Sequence, residues 1–338
     1  MRLFLTKLLL FLIPFILLFP LYVVMDPFKV LRKYDSYYPA YGTSPANINK
    51  DYVSTQNLLH RYKSANYNSF IFGSSRSIFY RVNEWSRYIQ TPPQQCYHYD
   101  AFGESLYGIT NKIRFLQKQQ ILIKHALLIF DYALLEGAEQ PKEYFRQQHP
   151  AISGKSSITF HYNHFKAFYN YRFLKDYFTN LYGKKSSVVH DAALWEVNKQ
   201  TYDAAMNEAR FDDLEQLIRT KGDAYYKERS TVFFKRSTTP QVYGAVIREV
   251  QQKQLQQIKA IFDANATDYR IVISPLYDQV QLNPDDLQFL QKLFGKEKVF
   301  DFSGINSFTT PVTNYYEESH YRPQVADSIL KIIYSARQ

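Results

Sequence analysis

The segment from Ser69 to Tyr80, SFIFGSSRSIFY, places two hydroxyl groups and a guanidinium directly after a short apolar run. A serine hydroxyl becomes a nucleophile when an adjacent base takes its proton, and that base works best when a third group orients it. Near the other end of the chain, NYYEESHYRP contains Glu317 and His320, close enough in sequence for the carboxylate to fold back onto the imidazole. Ser75, His320 and Glu317 are therefore the candidate nucleophile, base and orienting acid.

The elements that would position these residues are apolar strands that alternate with helical patterns on either side of a long central region. The predicted strands are Ser69–Phe72, Cys96–Tyr99, His125–Phe130, Tyr269–Ser274 and Lys298–Phe302. The predicted helices lie near Ser77–Tyr88, Glu104–Gln119, Val242–Ala264, Pro284–Phe294 and Arg322–Ala336. This alternation predicts an α/β fold in which a parallel sheet of about five strands is covered by helices on both faces.

The distinctive polar residues fall in the loops that follow these strands. In an open parallel sheet, ligands bind beyond the carboxyl ends of the strands, so residues distant in sequence would share one rim. The residues expected there are Ser75, Arg76, Gly103, Asp131, Glu317 and His320. The backbone N–H of Ser75, near a helix start, is expected to stabilise an oxyanion, and Gly103 is expected to bring a second N–H close because it has no side chain.

Each of these motifs also has a purely structural interpretation. Gly-Ser-Ser after a strand is a common turn and helix cap, and Glu-x-x-His near a helix start is commonly a cap or a surface pair. Their joint placement on one predicted rim favours a site.

The chain divides into five segments by composition and pattern. Residues 137–239 are aromatic and basic, with helical segments and no convincing strand, and predict an inserted helical subdomain. The α/β domain would then consist of residues 67–136 and 240–338, preceded by a stalk and first helix over 26–66.

The N-terminal segment, residues 1–25, contains the apolar run LLLFLIPFILLFPLYVVM from Leu8 to Met25. Its length suits the roughly 30 Å of hydrocarbon in a bilayer and predicts a transmembrane helix, interpreted as an uncleaved signal anchor because no small-residue cleavage site follows. Basic residues lie on both sides of the run, so charge does not fix the orientation. Since long domains translocate largely regardless of charge, we expect a single-pass protein of the cytoplasmic (inner) membrane with an extracytoplasmic domain.

The net charge of +10 is compatible with a nucleic acid or an anionic surface. The chain nevertheless lacks an arginine-rich arm and zinc-ligand spacing, and we predict no nucleic-acid partner. The single cysteine, Cys96, excludes an internal disulfide and is interpreted as buried filling in a strand. His161 and His164 lack a third ligand, and neither a metal nor a cofactor is predicted.

In the segments around Ser75, Gly103 and His320, the chain resembles the SGNH (GDSL-type) hydrolase superfamily, in particular its membrane-anchored envelope branch. That branch includes the D-alanyl transfer protein of teichoic acid modification and O-acetyltransferases of exopolysaccharides. The family's first block is matched by GSSR, which nominates Ser75, and its last block by EESH, with His320 as base and Glu317 in place of an aspartate. Gly103 in DAFGES corresponds to the oxyanion glycine of the second block. The resemblance implies a three-layer α/β/α sandwich.

The third block of the family departs from the pattern here. The family offers an asparagine to the oxyanion, whereas this chain has Asp131 in IFDYAL. A carboxylate would repel developing negative charge, so either Asp131 points elsewhere or another group completes the oxyanion hole. Arg76 and Asn306 are the candidates for that group.

Together these features imply an extracytoplasmic serine esterase or O-acyltransferase that acts on envelope polysaccharide. Its partners would be the membrane, a glycan or acylated small-molecule substrate, and a multi-span membrane acyltransferase. One alternative is a catalytically silent protein of the same fold that binds glycan or such an acyltransferase. Another, ranked lower, is a lipid-active esterase.

Overall fold

A parallel sheet of five strands forms the centre of the protein, as the sequence predicts. The computed structural model describes residues 2–42, 44, 46, 48–141, 143–182 and 200–335. In chain order the strands are β1 (Tyr41–Gly42), β2 (Ser69–Gly73), β3 (Cys96–His98), β4 (His125–Phe130), β5 (Gln200–Asp203), β6 (Glu208–Arg210), β7 (Gln241–Val242), β8 (Asp268–Ile273), β9 (Val280–Gln281), β10 (Val299–Asp301), β11 (Tyr315–Glu317) and β12 (His320–Tyr321). The central sheet has the order β3-β2-β4-β8-β10, and every neighbouring pair in it is parallel.

Helices cover both faces of this sheet. Those among the described residues are α1 (Arg2–Met25), α2 (Lys50–Ala65), α3 (Val82–Tyr88), α4 (Leu106–Lys118), α5 (Tyr132–Glu136), α6 (Pro150–Ser153), α7 (Ser157–Phe168), α8 (Tyr171–Leu181), α9 (Asp212–Lys221), α10 (Asp223–Glu228), α11 (Glu249–Ala264), α12 (Pro284–Phe294) and α13 (Pro323–Ser335). Successive strand side chains point to opposite faces. Phe70 and Phe72 of β2 therefore pack with α4 and α11, whereas Ile71 packs with α3 and α13.

The order of the strands locates the crevice expected in an open sheet. From β2 the chain crosses to β3 on one side, and then returns to β4 on the other side of β2. The loops that leave β2 and β4 therefore diverge, and the gap between them is the usual ligand site of this topology. Ser75 follows β2 and Asp131 follows β4, so both residues lie at this gap.

Several helices begin where the sequence predicts because a polar side chain caps their first turn. Asn283 accepts a hydrogen bond from the N–H of Asp285 at 2.9 Å and is followed by Pro284, which suits a first helical position. Ser105 accepts from the N–H of Gly108 at 3.1 Å at the start of α4.

The helix predicted over Ser77–Tyr88 is wrong in its continuity. Ser75–Phe79 is a short 3₁₀ helix, the chain turns extended at Arg81, and α3 begins afresh at Val82. The N–H of Val82 donates to Glu208 Oε2 at 2.7 Å, so a distant glutamate replaces the local cap.

The long helix predicted from Val242 is wrong at its start, since α11 begins at Glu249. The preceding residues are not helical, and Asp286 of α12 accepts hydrogen bonds from the N–H groups of Val246 and Ile247, at 2.8 and 3.0 Å. Upstream of them, β7 pairs with β9.

The central region is not purely helical, which corrects the prediction that it contains no strand. Strands β5 and β6 form an antiparallel hairpin, and β1 from the predicted stalk pairs with β5. The insertion and the stalk thus share a small sheet beside the main one.

The N-terminal run lies in helix α1. Of the side chains between residues 2 and 17, those of Phe4, Thr6, Lys7 and Ile13 are described, so most of the predicted span lies outside the described side chains. Across the described part of the chain, no helix is long and apolar enough to cross a membrane. The predicted transmembrane helix is therefore not found there. The last turns of α1 pack on the insertion, where Tyr22 contacts Phe165 and Phe168.

Candidate active site

Ser75, His320 and Glu317 meet in one hydrogen-bonded row. The Oγ of Ser75 lies 2.8 Å from Nε2 of His320, and Nδ1 of His320 bonds Oε1 of Glu317. An ionised carboxylate only accepts hydrogen bonds, so Nδ1 of the ring carries the proton and Nε2 is left to accept from the serine hydroxyl. This is the tautomer in which the imidazole acts as a base toward Ser75.

The row is partly open to solvent at its serine and glutamate ends and is buried at the histidine between them. Ser75 is half-buried, His320 is 5% exposed, and the side chain of Glu317 is 15% exposed. Burial alone would raise the pKa of Glu317, but the hydrogen bond and charge of His320 and the N–H of Ser319 outweigh it and lower the pKa. Glu317 therefore remains the ionised partner of His320.

The acid and the base are held by a tight hairpin. Strand β11 pairs with β12 so that Glu317 stands directly opposite His320, with two residues between them. The N–H of Ser319 in this turn donates to Glu317 Oε2 at 2.7 Å, which fixes the second carboxylate oxygen. The spacing of three residues thus acts through a hairpin rather than through a helix start.

The two adjacent serines after β2, Ser74 and Ser75, make different contacts. Ser74 precedes the 3₁₀ helix, and its Oγ accepts from the N–H of Arg76 at 3.4 Å. Ser75 is the first residue of that helix, where backbone N–H groups have no acceptor within the helix. Ser74 therefore shapes the turn, while Ser75 presents its hydroxyl to His320.

Arg76 joins the turn to two other elements of the rim. Its Nη1 lies 2.7 Å from Oδ2 of Asp131, and its Nε donates to the carbonyl of Ser319 at 3.3 Å. The other oxygen of Asp131 accepts from the N–H of Leu134 at 2.9 Å and caps α5. Both carboxylate oxygens of Asp131 are thus bonded, one to Arg76 and one to the N–H of Leu134. The charge of Arg76 offsets the isolated negative charge that the sequence suggested.

The other two oxyanion candidates differ in position. Asn306 is committed to its own loop, because its Nδ2 donates to the carbonyl of Phe302 at 2.8 Å and its Oδ1 accepts from the N–H of Phe308 at 2.8 Å. Gly103 has a φ of +61°, and its carbonyl accepts from Arg146. Within the described ranges, neither residue forms a hydrogen bond to the serine–histidine–glutamate row.

A second histidine, which the sequence analysis did not single out, lies beneath the serine turn. The Oγ of Ser77 donates to the carbonyl of Ser74 at 2.7 Å and lies 3.1 Å from Nε2 of His98. Burial lowers the pKa of His98 to about 4, so its ring is neutral. The signal available in the sequence was a histidine inside a strand that is otherwise apolar and aromatic.

The insertion supports the hairpin from outside. Arg322 makes a two-pronged contact with Glu215 of α9, with Nε–Oε1 at 3.0 Å and Nη2–Oε2 at 2.7 Å. The hydroxyl of Tyr225 in α10 donates to the carbonyl of Tyr316 at 3.1 Å. The aromatic insertion is thus packed against the segment that carries the candidate base.

Among the described residues, no cluster of three or more histidine, cysteine, aspartate or glutamate side chains could hold a metal ion. The row of serine, histidine and glutamate is the arrangement that activates an alcohol for attack on an acyl group. No family model matches the chain, and comparison with curated proteins gives no match.

Proposed function

We propose that the protein is an SGNH-like serine esterase or O-acyltransferase. The observation that carries the proposal is the distance of 2.8 Å between Ser75 Oγ and His320 Nε2, with Glu317 on the far side of the ring. The separation lies in the range of about 2.6–3.2 Å over which a general base reaches the proton it removes.

In this mechanism Ser75 attacks the carbonyl carbon of an acyl ester while His320 takes the hydroxyl proton. The tetrahedral intermediate collapses, the proton passes from His320 to the departing alcohol, and the acyl group stays on Ser75 as an ester. A second alcohol or water then gives its proton to His320 and attacks that ester. Collapse returns the proton to Ser75 and releases either the acylated alcohol or the free acid.

The N–H of Ser75 is the donor that supports oxyanion stabilisation, since it lies at the start of a 3₁₀ helix. The pairing of Asp131 with Arg76 also supports the chemistry, because it offsets a carboxylate that would otherwise oppose negative charge on the substrate. Gly103 remains our proposal for a second backbone donor.

We further propose that the chain is attached to a membrane by its N-terminal helix and acts on an acylated envelope polysaccharide outside the cytoplasm. The uncharged run of 18 residues in the sequence supports attachment. Water and a sugar hydroxyl are chemically equivalent acceptors at Ser75, so hydrolysis and transfer remain two forms of the same proposal.

A catalytically silent binding protein is the second candidate. It is favoured by the side-chain amide of Asn306, which is bonded within its own loop and is not available to an oxyanion. Such a protein would keep the geometry of the row but leave Ser75 unreactive.

Labelling of the full chain with a fluorophosphonate probe tests the enzyme against the silent protein. We expect the unaltered chain and Ser74→Ala to be labelled, and Ser75→Ala and His320→Gln not to be. Ser74→Ala is the matched control, since it removes the neighbouring hydroxyl, whose hydrogen bond from the N–H of Arg76 is long at 3.4 Å, and removes no member of the row. Labelling that persists in Ser75→Ala would refute the assignment, and a folded protein that neither labels nor cleaves a small acetyl ester would favour the binding role.

The glycan part of the proposal needs a separate assay. In a strain that lacks the gene, restored acylation of the envelope polysaccharide should require Ser75. Equal restoration by the original chain and by Ser75→Ala would exclude this chemistry as the source of the acylation.

A further inference from the structure

One face of α7 is apolar and partly uncovered. Ile158 is 81% exposed and Tyr162 is 61% exposed, and the two are one helical turn apart. Phe165, a further turn along on the same face, is half-buried. An isolated exposed apolar side chain needs no explanation, but a row of them along a helix indicates a surface that contacts something else.

The same face is occupied by α1 at its other end. The ring of Phe165 lies 5.5 Å from that of Phe19 and 5.4 Å from that of Tyr22, centroid to centroid. The exposed row is therefore continuous with the packing of the apolar N-terminal helix.

The segment that contains α7 and α8 carries charge of one dominant sign. Residues 155–182 contain four basic side chains and one acidic side chain, Asp176. All four basic side chains are exposed: Lys155, Lys166, Arg172 and Lys175. Basic residues near an anionic bilayer surface are attracted to it, and the attraction is screened by salt. Apolar and aromatic residues flanked by lysine and arginine are the composition of helices that lie in a membrane interface.

A cavity of about 380 Å³ opens beside the row and gives it a polar edge. Lys155, Ser157, His149 and His161 are among the residues that line it. Nδ1 of His149 accepts from the N–H of Ala151 at 3.0 Å, and burial lowers the pKa of this ring to about 4, so the neutral imidazole carries its proton on Nε2. A lysine ammonium and an imidazole N–H are donors suited to the phosphate oxygens of a lipid headgroup.

We propose that this face of α7, defined by Ile158 and Tyr162 with Lys155 at its edge, lies in the headgroup layer of an anionic phospholipid bilayer. The proposal rests on the membrane attachment proposed above and is independent of the chemistry of Ser75. The insertion then has a second task besides supporting the β11–β12 hairpin, because it would hold the α/β domain against the membrane surface.

Site-specific fluorescence tests the contact in the full-length chain. With the buried Cys96 replaced (Cys96→Ala), a fluorophore is attached in separate variants at Tyr162→Cys, Ile13→Cys and Ile332→Cys. Ile332 is the matched control, since it is an exposed isoleucine on α13, the helix that packs with α3 and Ile71 of β2 on one face of the central sheet. Each protein is reconstituted into vesicles of phosphatidylcholine alone or with a quarter phosphatidylglycerol, with lipids that carry a quenching spin label near the headgroup.

We expect quenching at position 162 to exceed that at position 332 by about threefold or more in the anionic vesicles. It should fall in phosphatidylcholine alone and at 1 M salt, where the Debye length is about 3 Å. Ile158→Asp should lower the quenching at 162, whereas a charge placed at Ile332→Asp should leave it unchanged. Far-UV circular dichroism and urea unfolding of each variant report whether the domain is folded, whether or not Ser75 is reactive.

Three results would overturn the inference in distinguishable ways. Equal quenching at 162 and 332 while position 13 is quenched would mean that α1 enters the bilayer and the face of α7 does not touch it. No quenching at any position would remove the membrane attachment itself and this surface with it. Crosslinking between copies through position 162 without lipid would assign the face to a dimer instead.

Discussion

Replacing Lys112 by methionine is predicted to destabilise the protein by about 3 kcal/mol. The lysine is fully buried in α4, and its Nζ lies 2.5 Å from Oε2 of Glu104 and 3.7 Å from Oδ1 of Asp51. Removing one partner of a buried ion pair costs about 3–5 kcal/mol, because the remaining charge has neither water nor counterion. Methionine recovers part of this through its own apolar burial, which places the net loss near the lower bound.

The destabilisation caused by Lys112→Met should depend on pH, and the titration of Asp51 sets its direction. Burial raises the pKa of Asp51 to about 7, against the lowering effect of Lys112. A carboxyl whose pKa is raised by folding contributes stability that is present below its unfolded pKa and lost as the pH rises through the folded value. Without Lys112 this pKa rises further, so Lys112→Met should be less harmful at pH 5, where Asp51 is protonated, than at pH 8.

The measurement is urea unfolding of the full chain in a mild detergent at these two pH values, with Lys253→Met as the matched control. Lys253 is paired with Glu249 at 2.6 Å on the exposed face of α11, and such a surface pair is worth well under about 1 kcal/mol. Equal destabilisation by the two substitutions, or a larger effect of Lys112→Met at pH 5 than at pH 8, would refute the reasoning.

Two further predictions concern the site itself. A Cβ on Gly73 would lie 2.7 Å from the Cβ of Ser77, so Gly73→Ala should displace the serine turn, lower stability by about 2 kcal/mol in urea unfolding and reduce fluorophosphonate labelling. Gly244→Ala, where a Cβ meets nothing within 4 Å, is its control, and equal effects would contradict the steric argument. Glu317→Gln should lower kcat for a small acetyl ester by roughly 10³-fold or more with little change in KM, because the amide no longer enforces the tautomer of His320. In the original chain, the lowered pKa of Glu317 stabilises the folded state above the unfolded pKa of the carboxyl, and this stabilisation is lost as the pH falls through the folded pKa. Glu317→Gln lacks this contribution at every pH. An acid-unfolding profile that is the same for both proteins would speak against the pairing of Glu317 with His320.

The parallel sheet could be predicted because its strands are buried on both faces and leave continuous apolar runs in the sequence. His125–Phe130 has the same bounds in the prediction and in the structure. The break before α3 and the late start of α11 could not be predicted in this way, since side chains far away in the chain, Glu208 and Asp286, hold the backbone there. The β5–β6 hairpin was missed because its strands, QTYD and EAR, contain no continuous apolar run.

The geometry of the candidate site was foreseeable to the extent that it follows from topology. Parallel strands end at one edge, so Ser75 and Asp131 had to approach each other once β2 and β4 were neighbours. The partner of Asp131 was not foreseeable from this rule. It depends on the rotamer of Arg76, which reaches across the gap between the two strand ends rather than toward solvent.

The turn that carries Ser75, residues 74–77, is held by contacts on two sides. These contacts determine which substitutions would displace the Ser75 hydroxyl. On one side, Arg76 connects the turn to Asp131 and to the carbonyl of Ser319. A displacement of the β11–β12 hairpin would therefore move the residue next to the nucleophile. On the buried side of the turn, Ser77 connects it to the neutral ring of His98. Arg76 and Ser77 lie one and two positions after Ser75, and no hydrogen bond among the described residues joins either of them to its hydroxyl. Substitutions at these two positions should therefore alter the direction of the Ser75 hydroxyl while leaving the pairing of His320 with Glu317 in place.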